Sequence, residues 1–153
     1  MQTSAPIIRI SVRDQRIELV AGDSVLSSYP ISTSRFGLGS EEGSMKTPLG
    51  KFKIGEKIGA GVPSGTVFRG RVPLGPDEAP PPTDDLILSR ILWLDGLEEH
   101  NANTRQRYIY VHGTNHEDEI GQPASHGCIR MRNADLIALF DQVPLGAQVV
   151  IET

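Results

Sequence analysis

Apolar and polar residues alternate along the first part of the chain. Ile8, Ile10 and Val12 are separated by Arg9, Ser11 and Arg13, and beyond Asp14-Gln15 the residues Ile17 and Leu19 alternate with Arg16 and Glu18. A period of two places one set of side chains on one face, so the pattern predicts a half-buried hairpin closed by a tight turn. Residues 25–31, 52–54, 86–94 and 148–151 are further strand candidates. Residues 107–111 (RYIYV) are rich in aromatic and β-branched types, which suit a pleated surface, and are read as a strand throughout. One segment changes period. Leu136, Leu139, Phe140 and Val143 share a helical face, Asn133 is read as the N-cap, and Asp135 falls in the first turn. Pro144 and Gly146 end that helix.

Sixteen glycines and eleven prolines cut the chain into short segments, which favours strands over long helices. Residues 59–85 form the main irregular stretch, with a run of three prolines that no central strand or helix accommodates. It is read as a long surface loop, with residues 66–71 as a short strand inside it, and serves either as a lid or substrate wall or as an insertion without a role. The expected fold is mostly β with one main helix, in a single domain over residues 1–153.

With 153 residues the chain builds its own core without disulfides or metal, and one cysteine permits no internal disulfide framework. Acidic residues outnumber basic ones by 19 to 15, and there is no basic run, which argues against nucleic acid as a partner. The longest apolar stretch, residues 86–94, is broken by Ser89 and Arg90, so no membrane-spanning segment is expected. Arg9, Arg13 and Asp14 interrupt the first twenty residues before any run of signal-peptide length. With Met1 as the native start the expected location is the cytosol; with an export signal removed it is the periplasm or cell wall.

Three of the four histidines and the cysteine lie within HGTNHEDEIGQPASHGC, from His112 to Cys128. Two chemistries use such a group. His112, His116, His126 and Cys128 are ligand types for zinc, but a His-x₃-His pair needs a helix to bring both rings to one side, and the glycine and asparagine between them disfavour one. The other chemistry is a thiol nucleophile: a neighbouring imidazole takes the thiol proton to give a thiolate–imidazolium pair, and backbone N–H groups around the Gly-Cys turn stabilise an oxyanion. Ser125 either hydrogen-bonds near His112 or shapes the turn before Gly127. Tyr110 and Trp93 are read first as core residues and second as groove-lining ones. The Thr47-Pro48 step is read as shaping the backbone, not as binding substrate.

VHGTN…SHGCIRMRN, together with KTPLGKF at residues 46–52, resembles the L,D-transpeptidase (YkuD-type) catalytic domain, and the resemblance runs from about Ile7 to Ile151. It implies a β-sandwich-type fold cradling one helix, with Cys128 as nucleophile and His112 as its base. His112 would be oriented by the main-chain carbonyl of Gly113, with His126 near the acyl site. Gly127 and Cys128 would supply the oxyanion N–H groups, and Ser125, Arg130 and Tyr110 would meet substrate. His100 and His116 match no catalytic position and are expected to be solvated loop residues. No cofactor is implied.

The resemblance further implies attack on the tetrapeptide stem of peptidoglycan, with release of the terminal D-Ala and formation of an acyl-enzyme that carbapenems can trap. Water as acceptor gives a tripeptide; an amine gives a 3-3 cross-link or attaches a protein to murein. The plain N-terminus leads to the expectation of an L,D-carboxypeptidase in murein recycling, with the L,D-transpeptidase as the alternative and a non-catalytic murein-peptide binder as a third reading. Oligomeric state is left open.

Overall fold

The computed structural model describes residues 5–78, 80, 81 and 85–153. The predicted hairpin is present as β1 (Ile7–Ser11) and β2 (Arg16–Ala21), followed by β3 (Ser24–Ser32) and β4 (Gly50–Ile58). Then come β5 (Val67–Arg69), β6 (Val72–Pro73), β7 (Ile87–Gly96), β8 (Tyr110–Gly113), β9 (Ile129–Met131), α1 (Asn133–Gln142) and β10 (Gln148–Glu152).

The sheet runs β4-β10-β1-β2-β3-β9-β8-β7, and β7 also pairs with β4. The two ends therefore meet, and eight strands close a mixed barrel that leaves no free edge among them. The fold is mostly β with one main helix, as expected. Two pairings are parallel, β1 with β10 and β8 with β9. Inward residues of the alternating strands, among them Ile8, Ile10, Ile17, Phe52, Leu92, Val111, Ile129, Met131 and Val149, form one core with Leu136, Leu139 and Phe140 of α1. Each fully buried aliphatic or aromatic side chain contributes about 1.5–3 kcal/mol, which is what holds the closed sheet around the helix face.

Three expectations change. The strand read at residues 107–111 begins only at Tyr110, because residues 102–108 form a turn. Tyr108 sits at φ 57°, and the N–H groups of Arg107 and Ile109 bond back to the carbonyl of Thr104. Asn133 is the first residue of α1, not its cap. The cap position is Arg132 without a side-chain bond, and Glu117 Oε2 from a preceding turn accepts the Asn133 N–H at 2.7 Å instead. Residues 59–85 hold more structure than a loop. β5 and β6 make a hairpin that pairs onto β7 through Val67 and Leu88, and a 3₁₀ turn follows at Pro76–Glu78. The triple proline lies partly outside the described residues, as do 79, 83 and 84. Among the described residues no helix is long and apolar enough to cross a membrane.

Candidate active site

The site follows from the register of β8 against β9. Val111 pairs with Ile129, His112 with Arg130 and Gly113 with Met131, in parallel. Because successive side chains alternate, Ile109, Val111, Ile129 and Met131 face the main core while Tyr110, His112, Cys128 and Arg130 share the opposite face. The β5–β6 hairpin covers part of that face. Phe68, Ile91 and Tyr110 form a second apolar cluster there, with Trp93, Ile87 and Cys128 packed against it. The sulfur is thus half-buried beside aromatic and aliphatic groups.

The main chain around Tyr108–Tyr110 grips the thiol from two sides. Cys128 Sγ donates to the Tyr108 carbonyl at 3.2 Å and accepts the Tyr110 N–H at 3.4 Å. Loss of water pushes the thiol up to about 11, against the smaller opposing effect of the Tyr110 N–H. His112 is buried, with Nδ1 2.6 Å from the Gly113 carbonyl. A carbonyl only accepts, so Nδ1 carries the proton and Nε2 is the basic nitrogen. Burial lowers the His112 pKa, and the Gly113 carbonyl opposes that shift. Burial thus opposes both charges of a thiolate–imidazolium pair in the free protein, the thiolate at Cys128 and the imidazolium at His112.

Gly113 is a glycine for steric reasons. A Cβ there would overlap Asn133 Oδ1 and come within 2.6 Å of the Leu88 carbonyl. Ser125 resolves in favour of the turn: its hydroxyl donates to the Cys128 carbonyl at 2.6 Å and accepts the Gly127 N–H at 3.3 Å. Gly127 lies at φ 123°, where a side chain is strained, and its N–H is spent on Ser125 in this arrangement. Of the two expected oxyanion donors, the structure leaves the one at Cys128 as the better candidate.

His126 stands outside the His112–Gly113 contact. Its Nε2 faces Arg35 Nη2 at 3.2 Å, and its Nδ1 faces Asp85 Oδ2 at 3.1 Å. Arginine only donates, so Nε2 accepts and Nδ1 carries the proton toward Asp85. Arg130, 2% exposed, donates from Nη2 to the same Asp85 oxygen at 2.8 Å. Partial burial pushes the Asp85 carboxyl up, but Arg130 and His126 together hold it below the ordinary carboxylate value. Asp85 and Arg35 were not legible as site residues, because nothing in their local sequence marks them. Tyr110 meets Arg71 instead of open groove: its hydroxyl accepts from Arg71 Nη1 at 3.1 Å, and the Arg71 guanidinium lies over the rings of Trp93 and Tyr108.

Cys128 borders two clefts. One, of about 110 Å³, is lined by Asp85, Ile87, His112, Ser125, His126 and Arg130. The other, of about 330 Å³, opens toward Glu42, Met45, Arg107 and Tyr108. Among the described residues no group of three or more His, Cys, Asp or Glu side chains is placed to hold a metal ion. His116 pairs with Glu119 and His100 with the Leu49 carbonyl, both away from the sulfur's two clefts.

A closed barrel of this kind has known counterparts. Residues 5–151 match the L,D-transpeptidase catalytic domain, YkuD, and the chain belongs to that family. It is 29% identical over 144 residues to the L,D-transpeptidase YkuD of Bacillus subtilis, covering 94% of this chain and 64% of that protein. It is 49% identical over 43 residues to the L,D-transpeptidase YbiS of Escherichia coli, covering 28% of this chain and 14% of that one. Among solved structures, L,D-transpeptidase 3 from Mycobacterium tuberculosis in complex with a faropenem-derived adduct superposes with a TM-score of 0.64 at 14% identity. That match covers 97% of this chain and 60% of the other. The chain thus spans less than two thirds of the length of that Bacillus subtilis relative, 64%, and of that structure, 60%.

Proposed function

We propose that this domain catalyses acyl transfer at the L,D-peptide bond of peptidoglycan tetrapeptide stems through Cys128, with an amine as acceptor. The observation that carries the reading is the fixed tautomer of His112, whose Nδ1 is tied to Gly113 and whose Nε2 is the one basic nitrogen it can offer in the cleft shared with Cys128. In the first step Nε2 takes the thiol proton as sulfur attacks the carbonyl of the third stem residue. The negative charge moves to the carbonyl oxygen, where the Cys128 N–H is the nearest candidate donor. The intermediate collapses, the C–N bond to D-Ala breaks, and His112 returns the proton to the departing amine. In the second step His112 takes a proton from the incoming nucleophile and returns it to sulfur as the acyl group leaves.

The expectation of hydrolysis rests on the plain N-terminus, which has no bearing on the acceptor in a chain spanning part of its relatives. Two clefts meeting at one sulfur support an amine acceptor, since donor and acceptor can occupy opposite sides of the thioester. The relatives' names, L,D-transpeptidases, support the same reading. Hydrolysis to a tripeptide is the second reading, favoured by the width of the larger cleft, which admits water to the acyl-enzyme. Mass spectrometry of products from a disaccharide-tetrapeptide decides between them, with Cys128→Ala as control. A cross-linked dimer establishes the transpeptidase, tripeptide with free D-Ala establishes the hydrolase, and neither product from the active wild type overturns the proposal.

A further inference from the structure

Four charged or polar side chains form a chain, Arg35 to His126, His126 to Asp85, and Asp85 to Arg130, and the last three line the smaller cleft. The parts are not equally fixed. Arg130 is anchored on β9 and 2% exposed, whereas the Asp85 side chain, on the segment leading into β7, is 37% exposed. Both donors converge on a single oxygen, Oδ2. Arg130 is also under-used. Its Nε and Nη1 are sealed from solvent without a partner among the described residues, so a guanidinium suited to two parallel bonds makes one to Asp85.

Removing the Asp85 carboxylate from this arrangement takes the counter-charge from Arg130 and leaves the His126 ring, with Arg35 behind it, facing the vacated position. That is an anion site within one cleft of the nucleophile. The cleft volume of about 110 Å³ equals that of roughly four water molecules, the scale of a small amino acid. We propose that Arg130 and His126 form a carboxylate subsite beside Cys128, and that Asp85 is its intramolecular occupant in the free protein. The terminal carboxylate of the peptide donor displaces Asp85 on binding. The identity of that donor rests on the function proposed above; the subsite itself does not. A side chain that fills the subsite lowers the apparent affinity of the ligand by the fraction of molecules in which the subsite is open. Asp85 thereby becomes a specificity-determining residue, admitting only ligands whose carboxylate outcompetes it.

The test is protection of Cys128 from iodoacetamide by D-alanine, with D-alaninamide as the probe lacking the carboxylate. The quantity read is the concentration giving half-protection, which does not depend on how fast each variant is alkylated. D-Alanine is expected to protect and D-alaninamide to fail. Asp85→Ala and Asp85→Asn are each expected to lower the half-protection concentration by about tenfold, as removal of a self-occupying group predicts. Asp85→Glu keeps the carboxylate and stays near wild type, and Arg130→Gln added to Asp85→Asn abolishes protection. Asp85→Asn retains the size of the side chain, so a folding defect in Asp85→Ala leaves the test standing. Unchanged or weaker protection in both Asp85 variants, or equal protection by D-alaninamide, overturns the proposal. The assay needs no turnover, so loss of activity on tetrapeptide with protection intact would remove the proposed function and leave the subsite.

Discussion

Thr47 Oγ1 donates to the carbonyl of Gly127 at 3.0 Å, tying together two segments that lie 80 residues apart. The same oxygen accepts the Ser34 N–H at 2.9 Å, and Thr47 is fully buried. The KTPLGKF segment therefore braces the turn that carries the nucleophile. Thr47→Val keeps the shape and strands one buried N–H and one buried carbonyl, a loss of about 1–3 kcal/mol. Thermal melting and steady-state kinetics check this: the midpoint should fall, and kcat should fall more than KM rises, while Thr47→Ser retains most of both. An unchanged midpoint would show that the bond does not hold the turn.

Gly113→Ala should be costly in a different way. The added methyl meets Asn133 Oδ1 and the Leu88 carbonyl, and the carbonyl belongs to a neighbouring strand that cannot retreat. Overpacking of this kind costs about 1–3 kcal/mol, and it also moves the carbonyl that orients His112. Because part of the clash is with Asn133, the double variant Gly113→Ala/Asn133→Ala should lose less stability than the sum of the single variants. Chemical denaturation of the four proteins measures the coupling, and strict additivity would count against the clash.

Burial of His112 and Cys128 gives stability one limb toward acid and one toward alkali. His112 holds its proton less tightly folded than unfolded, so the unfolded chain binds more protons as pH falls below the ordinary value of 6.5. Stability should be lost there and not above it. Cys128 is the reverse: between its ordinary 9.0 and about 11 the unfolded thiol ionises first, and stability should fall as pH rises. In denaturation curves taken across pH, His112→Gln should flatten the acid limb and Cys128→Ala the alkaline one. The alkylation rate of the free protein should still be rising at about pH 10, since the thiolate forms late. A plateau near neutral pH would mean a preformed ion pair.

A carbapenem should add its mass once to the wild-type protein and not to Cys128→Ala, as read by intact-protein mass spectrometry. The acyl group of such a compound has to reach the same sulfur between the same two clefts. Addition to the alanine variant, or none to the wild type, would argue against Cys128 as the acylated group.

Much of this protein is local and was therefore legible in the chain itself. The N-terminal hairpin, the helix face of Leu136, Leu139 and Phe140, and the last strand follow from periodicity, because alternation and 3.6-residue repeats are properties of neighbouring residues. Cys128 and His112 stood out as a short pattern open to two chemistries, and the resemblance to a known family pointed to the thiol and added Gly113. Closure of the barrel was not legible, since the β4–β7 pairing joins segments whose sequences say nothing of each other. Nor was the start of β8. A turn with Tyr108 at positive φ overrode the strand propensity of RYIYV, and in doing so presented the two backbone groups that hold the sulfur.

The electrostatics belong wholly to the tertiary structure. A cysteine near a histidine in sequence suggests an ion pair, but burial decides the charge, and burial depends on the β5–β6 hairpin packing over the outer face of β7 and β8. Asp85 and Arg35 carry no local signal, yet the fold sets one on each side of His126. Residue identity along the chain fixes which atoms can react. The closed sheet decides which of them are buried, which are held, and which carboxylate shares the nucleophile's cleft, because those depend on distances and solvent exclusion between segments far apart in the chain.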